Sequence, residues 1–252
     1  MGKNMTRRRL IVVAYGLQAK IESWEPLLSR LKEEPDLRVG VAVWLIYHPT
    51  SKLLGQKRMR ESVRDLMALI QKEWIANGGF EEIILVGHSI GGMIIRGAYV
   101  AGRGADPDQQ AEHAWALKVL RIVLMACPNR GIEGFKGPLM AMLDWGVKQI
   151  PGLFFTYQDL QRGSSFVTNL RVNWIHLFAS RSKPETSHGD RSFEEGVFPE
   201  VVQLLGIRDT VVHPEDSLDV LAFPNTIAVE VPYADHDNVM ELVGTPDALD
   251  RY

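Results

Sequence analysis

Ser89 lies in a pattern that can turn a serine hydroxyl into a nucleophile. Residues 83–92 read Ile-Ile-Leu-Val-Gly-His-Ser-Ile-Gly-Gly, which predicts a buried strand, a sharp turn and the start of a helix. Such a turn holds the serine in a strained backbone conformation with its hydroxyl raised above the sheet. Gly87 and Gly91 leave room for strand and helix to approach, because a Cβ at either position would collide. The pattern therefore predicts that Ser89 is a catalytic nucleophile.

The serine needs a base that removes its proton and a third group that orients the base. In proteins with this turn the partners follow in the chain order serine, acid, histidine, each after a strand. Asp209 lies in the polar turn Gly-Ile-Arg-Asp-Thr, and His236 directly follows the last predicted strand. These two residues are the predicted acid and base. Asp190 and Asp235 are competing acids, and His188 and His213 are competing bases.

Ester hydrolysis through a serine also needs N–H donors for the oxyanion of the tetrahedral intermediate. The backbone N–H of Ile90 is one predicted donor, because this residue follows the nucleophile at the start of a helix. The backbone N–H of Leu17, in the turn Tyr-Gly-Leu after the first strand, is the other; an ordinary strand-to-helix turn is the alternative. We expect His88 to pack against or hydrogen-bond the serine turn rather than act as the base.

No metal or organic cofactor is predicted. His188, Asp190 and His213 could in principle bind a metal ion, but their spacing matches no zinc pattern. The serine chemistry described above requires none.

Composition agrees with a compact globular enzyme and narrows the function little further. The chain has 252 residues, 46% of them hydrophobic, which is enough for a sizeable core. The net charge of −3 argues against a general nucleic-acid binder. The single cysteine, Cys127, excludes an internal disulfide and favours a reducing, cytoplasmic location. No secretory signal or membrane-spanning stretch is visible, since the apolar run 10–14 is far too short for either.

Strands and helices alternate through the first half of the chain. Apolar runs predict strands over 10–14, 39–47, 81–86, 119–126 and 225–231, and helical spacing predicts helices over 21–33, 56–77 and 93–100. This alternation is typical of an α/β fold with a mostly parallel sheet and helices on both faces. We expect a single domain over 1–252.

The second half of the chain is less regular. Residues 128–170 contain glycines, prolines and a group of large apolar side chains. An insertion at this place would lie over the crevice, either as a lid with an apolar wall for an acyl chain or simply as extra helices on the sheet. Residues 174–179 are predicted to form a further strand, and 180–195 a polar loop.

The motifs together resemble the α/β-hydrolase superfamily, and within it the lipase-like serine esterases, including those similar to GPI-inositol deacylases. The resemblance rests on the serine turn, a Cys-Pro-Asn-Arg-Gly segment, a Gly-Ser-Ser-Phe helix start, and the acid and histidine loops: 87–92, 127–131, 163–166, 209–217 and 235–236. It implies the α/β-hydrolase fold and a catalytic triad of Ser89, Asp209 and His236.

The sequence departs from this group in three places. Tyr15 stands where the group has histidine before the glycine of the first turn. Asp209 lies about thirty residues beyond the strand predicted to end near Ala179, which implies a looped-out insertion. The chain stops at Tyr252, where such proteins usually continue their last helix, so the resemblance leaves open that it is one domain of a longer, multidomain signalling protein.

The resulting hypothesis is a serine esterase that acts on a small-molecule or lipid ester with an apolar acyl group. A thioesterase or acyltransferase would use the same three residues. A more distant alternative is an effector or signalling domain that has kept only the fold. Nothing in the sequence specifies an interface, so further domains or a homo-oligomer stay open.

Overall fold

A single sheet of six parallel strands forms the centre of the molecule, in the spatial order β2-β1-β3-β4-β5-β6. The computed structural model describes residues 8–16, 21–34, 41–47, 58–108, 111–132, 157–179, 198–213, 216 and 225–240. The strands are β1 Arg8–Ala14, β2 Val41–Tyr47, β3 Glu82–His88, β4 Val119–Met125, β5 Glu200–Gly206 and β6 Thr226–Val231.

Helices cover both faces of this sheet. They are α1 Glu25–Glu33, α2 Met59–Ala76, α3 Ile90–Gly102 and α4 Ser165–Ala179, with short 3-10 turns at Ile21–Trp24 and Ala114–Lys118. The chain runs from β1 outward to β2 and then back past β1 to β3. Right-handed crossovers place the two connections on opposite faces, which explains why α1 packs on one side and α2 and α3 on the other.

The central strands are buried on both faces, as their continuous apolar sequences require. Leu10 and Val12 point into the core beneath α2, α3 and α4, whereas Ile11 and Val13 point toward α1. At the sheet edge, β6 is only partly covered, with Ile227 47% exposed. The predicted α/β class and mostly parallel sheet are therefore confirmed.

Two glycines allow α3 to start directly against the sheet. A Cβ on Gly91 would lie 2.2 Å from the carbonyl oxygen of Ala14, and a Cβ on Gly87 would lie 2.5 Å from the Cα of Gly92. Both obstacles are backbone atoms, which cannot rotate away as a side chain can. The first turn of α3 thus has its position fixed by contact with both β1 and β3.

The prediction of a strand over 174–179 was wrong, because this segment is the end of helix α4. A short apolar run is compatible with either a buried strand or a buried helix. The helix is favoured because Trp174 and Phe178, one turn apart, stack on each other with ring centroids 4.5 Å apart. Leu170 and Leu177 extend the same buried face.

Strand β5 was not foreseen, and its presence removes the looped-out insertion expected before Asp209. β5 ends at Gly206, so Asp209 follows it by only a few residues. A fully buried glutamine, Gln203, interrupts the apolar pattern of this strand. The acid therefore lies directly after a strand, in the position that the fold assigns to it.

Residues 133–156, most of the expected insertion, lie outside the described residues, so the lid and the single-domain extent stay predictions. The helix start expected within 163–166 is present, since α4 begins at Ser165 and the Ser164 hydroxyl accepts a hydrogen bond from the N–H of Val167 at 3.2 Å. Within the described part of the chain, no helix is both long and apolar enough to cross a membrane.

Replacing Gly91 with alanine is expected to destabilise the fold much more than the same change at Gly163. The new Cβ at position 91 would meet backbone at 2.2 Å, which predicts a loss of about 3 kcal/mol or more. Gly163 has a φ of +84° but nothing within 4 Å of its Cβ position, so alanine costs only the left-handed conformation, about 1–2 kcal/mol. Thermal unfolding should show shifts of roughly 10 °C and roughly 5 °C. Equal shifts would contradict the steric explanation.

Candidate active site

Ser89 lies between β3 and α3 in a conformation that serine rarely adopts. Its φ is 53° and its ψ is −125°. The N–H of Ser89 donates to the carbonyl oxygen of Met125 on β4 at 2.9 Å, and its carbonyl oxygen accepts from the N–H of Gly92 at 3.0 Å. A non-glycine residue keeps such a backbone only where its surroundings impose it. The strained turn predicted from the sequence is therefore present.

The serine faces the point where the strand order reverses. β1 and β3 are neighbours in the sheet, but their connections leave toward opposite faces. Open α/β sheets bind their ligands in the crevice that this reversal opens at the carboxyl ends of the strands. Gly16 follows β1 at this crevice, and a Cβ there would lie 3.0 Å from the Cβ of Ser89. The backbone after β1 thus passes close beside the serine.

The structure brings Ser89, His236 and Asp209 into one hydrogen-bonded chain. The Nε2 of His236 lies 2.9 Å from the Oγ of Ser89. The Nδ1 of the same ring lies 3.1 Å from an Oδ2 of Asp209. Because an ionised carboxylate only accepts, the neutral ring carries its proton on Nδ1 and offers the Nε2 lone pair to the serine hydroxyl. This is the arrangement that lets a histidine remove the proton of a serine.

Asp209 is held as a charged acceptor. Its side chain is 0% exposed. Oδ1 accepts from the backbone N–H groups of Val211 at 2.8 Å and Val212 at 2.9 Å, which leaves Oδ2 to His236. Burial by itself would raise the pKa of this carboxyl, but the hydrogen bond and charge of His236 and the two N–H donors outweigh it and hold the pKa of Asp209 below its ordinary value.

His88 ties the serine turn to the histidine loop. Its ring is buried, and its Nε2–H donates to the backbone carbonyl of His236 at 2.7 Å. Burial, followed by the nearby His236, lowers the pKa of His88 to about 4, so its ring is neutral at physiological pH. The residue before Ser89 therefore fixes the backbone of the residue that contacts the Ser89 hydroxyl.

The competing candidates occupy other places. Asp235 is exposed, and its Oδ1 accepts from the N–H groups of Asp237 and Asn238, which closes the turn around His236. His213 is exposed as well. Asp190 and His188 lie outside the described residues.

Both predicted oxyanion donors stay predictions, and the structure describes only one of the two residues. Ile90 is the first residue of α3, where backbone N–H groups lack a partner within the helix. Leu17 lies outside the described residues, so its part stays a prediction. Among the residues that the structure describes, no cluster of three or more His, Cys, Asp or Glu side chains could hold a metal ion.

The sequence reading missed a buried polar network behind the acid. It consists of Arg96, Asn129, Gln203 and Asp216, all of them 2% exposed or less. The only sequence signal for this network is the Pro-Asn-Arg-Gly segment at 128–131. This segment resembles one in the esterase family, but the three triad residues do not explain its presence.

Similarity to known proteins is confined to three-dimensional structure. No family model and no curated protein matches the chain. The lipase BlEst2 of Bacillus licheniformis is 14% identical with a TM-score of 0.56, over 94% of this chain and 87% of that one. A bromoperoxidase from Bacillus anthracis is 13% identical with a TM-score of 0.56, over 96% and 91%. The RedJ thioesterase of the prodiginine pathway in Streptomyces coelicolor is 14% identical with a TM-score of 0.51, over 97% and 82%.

These neighbours confirm the α/β-hydrolase fold that the resemblance implied. At 13–14% identity they show the fold alone, and their names span different activities. The likeness to GPI-inositol deacylases is not tested by them.

The titration of His88 is expected to make stability depend on pH. The folded ring stays neutral down to about pH 4, whereas the ordinary pKa of histidine is 6.5, so the unfolded chain binds this proton first. As the pH falls from 6.5 to 4, stability should therefore fall by about 3 kcal/mol from this group. His88→Gln has no such titration. The wild type's free energy of unfolding, minus that of the variant, should fall by this amount when urea unfolding is measured across the range; a constant difference would contradict it.

Proposed function

We propose that the chain is a serine hydrolase that cleaves carboxylic esters. The observation that carries the proposal is the continuous chain from Ser89 Oγ through the His236 ring to the Asp209 carboxylate, at 2.9 Å and 3.1 Å. The strained backbone of Ser89 and its place at the sheet reversal support the same reading. The lipase among the proteins of similar fold agrees with it.

The reaction follows from the proton positions. Ser89 Oγ attacks the ester carbonyl carbon while Nε2 of His236 takes the hydroxyl proton, and the resulting imidazolium is stabilised by Asp209. The backbone N–H groups of Ile90 and Leu17 bind the oxyanion. The tetrahedral intermediate collapses, and His236 returns the proton to the leaving alcohol. Water, deprotonated by the same ring, then releases the acid from the acyl-enzyme and restores Ser89.

The substrate is an ester with an apolar acyl group, either a small molecule or a lipid. Its support is the apolar sequence of 139–155, in the insertion that would form either a lid or extra helices on the sheet. No metal or organic cofactor enters this scheme. A cytoplasmic location accords with the single cysteine, Cys127, which is buried.

Labelling with a fluorescent fluorophosphonate tests the nucleophile and its partners. Ser89→Ala should abolish labelling, because the attacking oxygen is removed. Asp209→Asn and His236→Ala should slow it by about 10³- to 10⁴-fold, because the hydroxyl is no longer deprotonated. Rates are read from gel fluorescence over time, with thermal unfolding to verify the fold.

Two matched variants sharpen the assignment. Asp235→Asn changes the competing acid next to the base and should keep the wild-type labelling rate, as should Ser62→Ala, which removes another buried serine. Strong slowing by Asp235→Asn would move the acid from Asp209 to Asp235. A folded wild type that does not label would argue against the hydrolase and for an effector or signalling domain.

Paired oxygen and thiol esters of the same acyl group separate the esterase from its nearest alternative. An esterase should turn over the oxygen ester with a kcat/KM at least as high as that of the thiol ester. A clear preference for the thiol ester would favour a thioesterase. Transfer of the acyl group to an added alcohol in place of water would favour an acyltransferase.

A further inference from the structure

Asp216 is a second buried carboxylate beyond Asp209, and it is bonded to backbone rather than to a histidine. It is 2% exposed. Its Oδ1 accepts from the N–H of Arg130 at 3.0 Å, and its Oδ2 accepts from the N–H of His213 at 3.2 Å. The N–H of Asp216 donates to the carbonyl of His213 at 2.8 Å. One side chain thus joins the chain after Asp209 to the segment that follows β4.

Asn129 makes the second half of this junction. Its Nδ2 group donates to the backbone carbonyl of Asp216 at 3.0 Å and to Oε1 of Gln203 at 2.9 Å. Its Oδ1 accepts from Nη1 of Arg96 at 2.9 Å. The amide is 0% exposed, and each of its polar atoms is bonded. A buried side chain whose polar atoms are all bonded rigidifies the segments that it connects.

The other end of the network is anchored in the elements around Ser89. Arg96 lies on α3, the helix that begins directly after the serine. Its guanidinium is fully buried and stacks over the Trp174 ring of α4, with Cζ 4.6 Å from the ring centroid. Gln203 lies on β5 and donates to the carbonyl of Cys127 after β4 at 3.5 Å. The loop that carries Asp209 is therefore connected through this network to α3, the helix that begins directly after Ser89.

We propose that Asp216 and Asn129 are positioning residues that hold the loop after β5 so that the Asp209 carboxylate meets His236. This inference rests on the proposed function and names a role for the segment 127–131 that the triad leaves unexplained. On the side of the histidine loop, the N–H of Arg208 donates to the carbonyl of Ala234 at 2.8 Å. Asp216 and Asn129 hold the opposite side, so the acid's loop is fixed at both ends.

The chemistry of the two side chains favours this role over simple filling of space. Burial raises the pKa of Asp216, against the opposing effect of the N–H donors of Arg130 and His213, so placing a carboxyl group here costs desolvation free energy. An apolar side chain would fill the volume without that cost. A carboxylate that accepts from two backbone N–H groups also fixes the relative orientation of the two segments that donate to it, and one of these segments is the loop that carries Asp209.

Asp216→Asn is the first test, because the side chain keeps its shape but turns one acceptor into an NH₂ group facing a backbone N–H. We expect kcat for a carboxylic ester to fall by about 10- to 100-fold, the effect of a misplacement of about 1 Å. KM should stay unchanged, since neither residue lies in the proposed contacts with substrate. Asn129→Asp keeps the acceptor for Arg96 but loses both donated hydrogen bonds, and it should give the same split between kcat and KM.

A double-mutant cycle separates positioning from general destabilisation. If Asp216 acts through Asp209, then the double variant carrying Asp209→Asn and Asp216→Asn should be no slower than Asp209→Asn alone. Independent, additive losses would overturn the proposal. Asn169→Asp, at an exposed asparagine on α4, is the control for Asn129→Asp and should leave kcat unchanged.

Amide hydrogen exchange measures how firmly the loop that carries Asp209 is held, and it does so independently of catalysis. The N–H groups of Val211 and Val212, which donate to Asp209, should lose protection in Asp216→Asn and in Asn129→Asp while amides of β3 keep it. Retained protection at both valines in the folded variants would overturn the proposal. If the wild type fails to label with a fluorophosphonate, the proposed function fails, but the exchange result still decides whether these residues hold the loop.

Discussion

The close approach of helix α3 to strands β1 and β3 is the constraint on which the site depends. At Gly91 a single added carbon would lie 2.2 Å from the carbonyl oxygen of Ala14, so the helix can start here only with glycine at this position. This contact compresses the connection between strand and helix to one residue, Ser89, and explains its φ of 53°. The strain is sustained because sheet and helix on either side are deeply buried, and its consequence is a hydroxyl that stands free of the turn.

The remaining parts of the site come from far along the chain, and the structure ties each of them back to this turn. His236 is 147 residues from Ser89, yet it contacts the serine through its ring and His88 through its carbonyl. The turn therefore fixes both the backbone and the ring of the same residue. Because His88 is buried and neutral, it holds the loop with a hydrogen bond and no added positive charge beside the ring of His236. His88, the residue before the serine, thus helps to hold the backbone of His236 and adds no charge next to its ring.

A separate set of contacts holds Asp209 in place, and this set also leads back to the helix that begins after Ser89. The N–H groups of Val211 and Val212 orient its carboxylate locally. Beyond them, the network of Arg96, Asn129, Gln203 and Asp216 connects the chain after the acid to α3, β5 and the end of β4. Buried polar groups of this kind are costly unless every member has partners. Apolar side chains of the same volume behind the acid would avoid this desolvation cost. The presence of polar ones supports the proposal that the network positions Asp209.

Local patterns in the sequence were enough to predict the α/β class, the strained turn at Ser89 and the three residues that the structure joins. Each of these signals lies within a few neighbouring residues: glycines two positions either side of a serine, and polar turns that carry an acid or a histidine. The end of α4 and the whole of β5 were decided only by tertiary structure. The apolar run at 174–179 suits strand or helix equally until Trp174 stacks on Phe178 and packs under Arg96. Likewise, Gln203 makes β5 look too polar for a buried strand until Asn129, 74 residues away, supplies the partner for its amide, because a buried polar group is tolerated only where distant parts of the chain satisfy it.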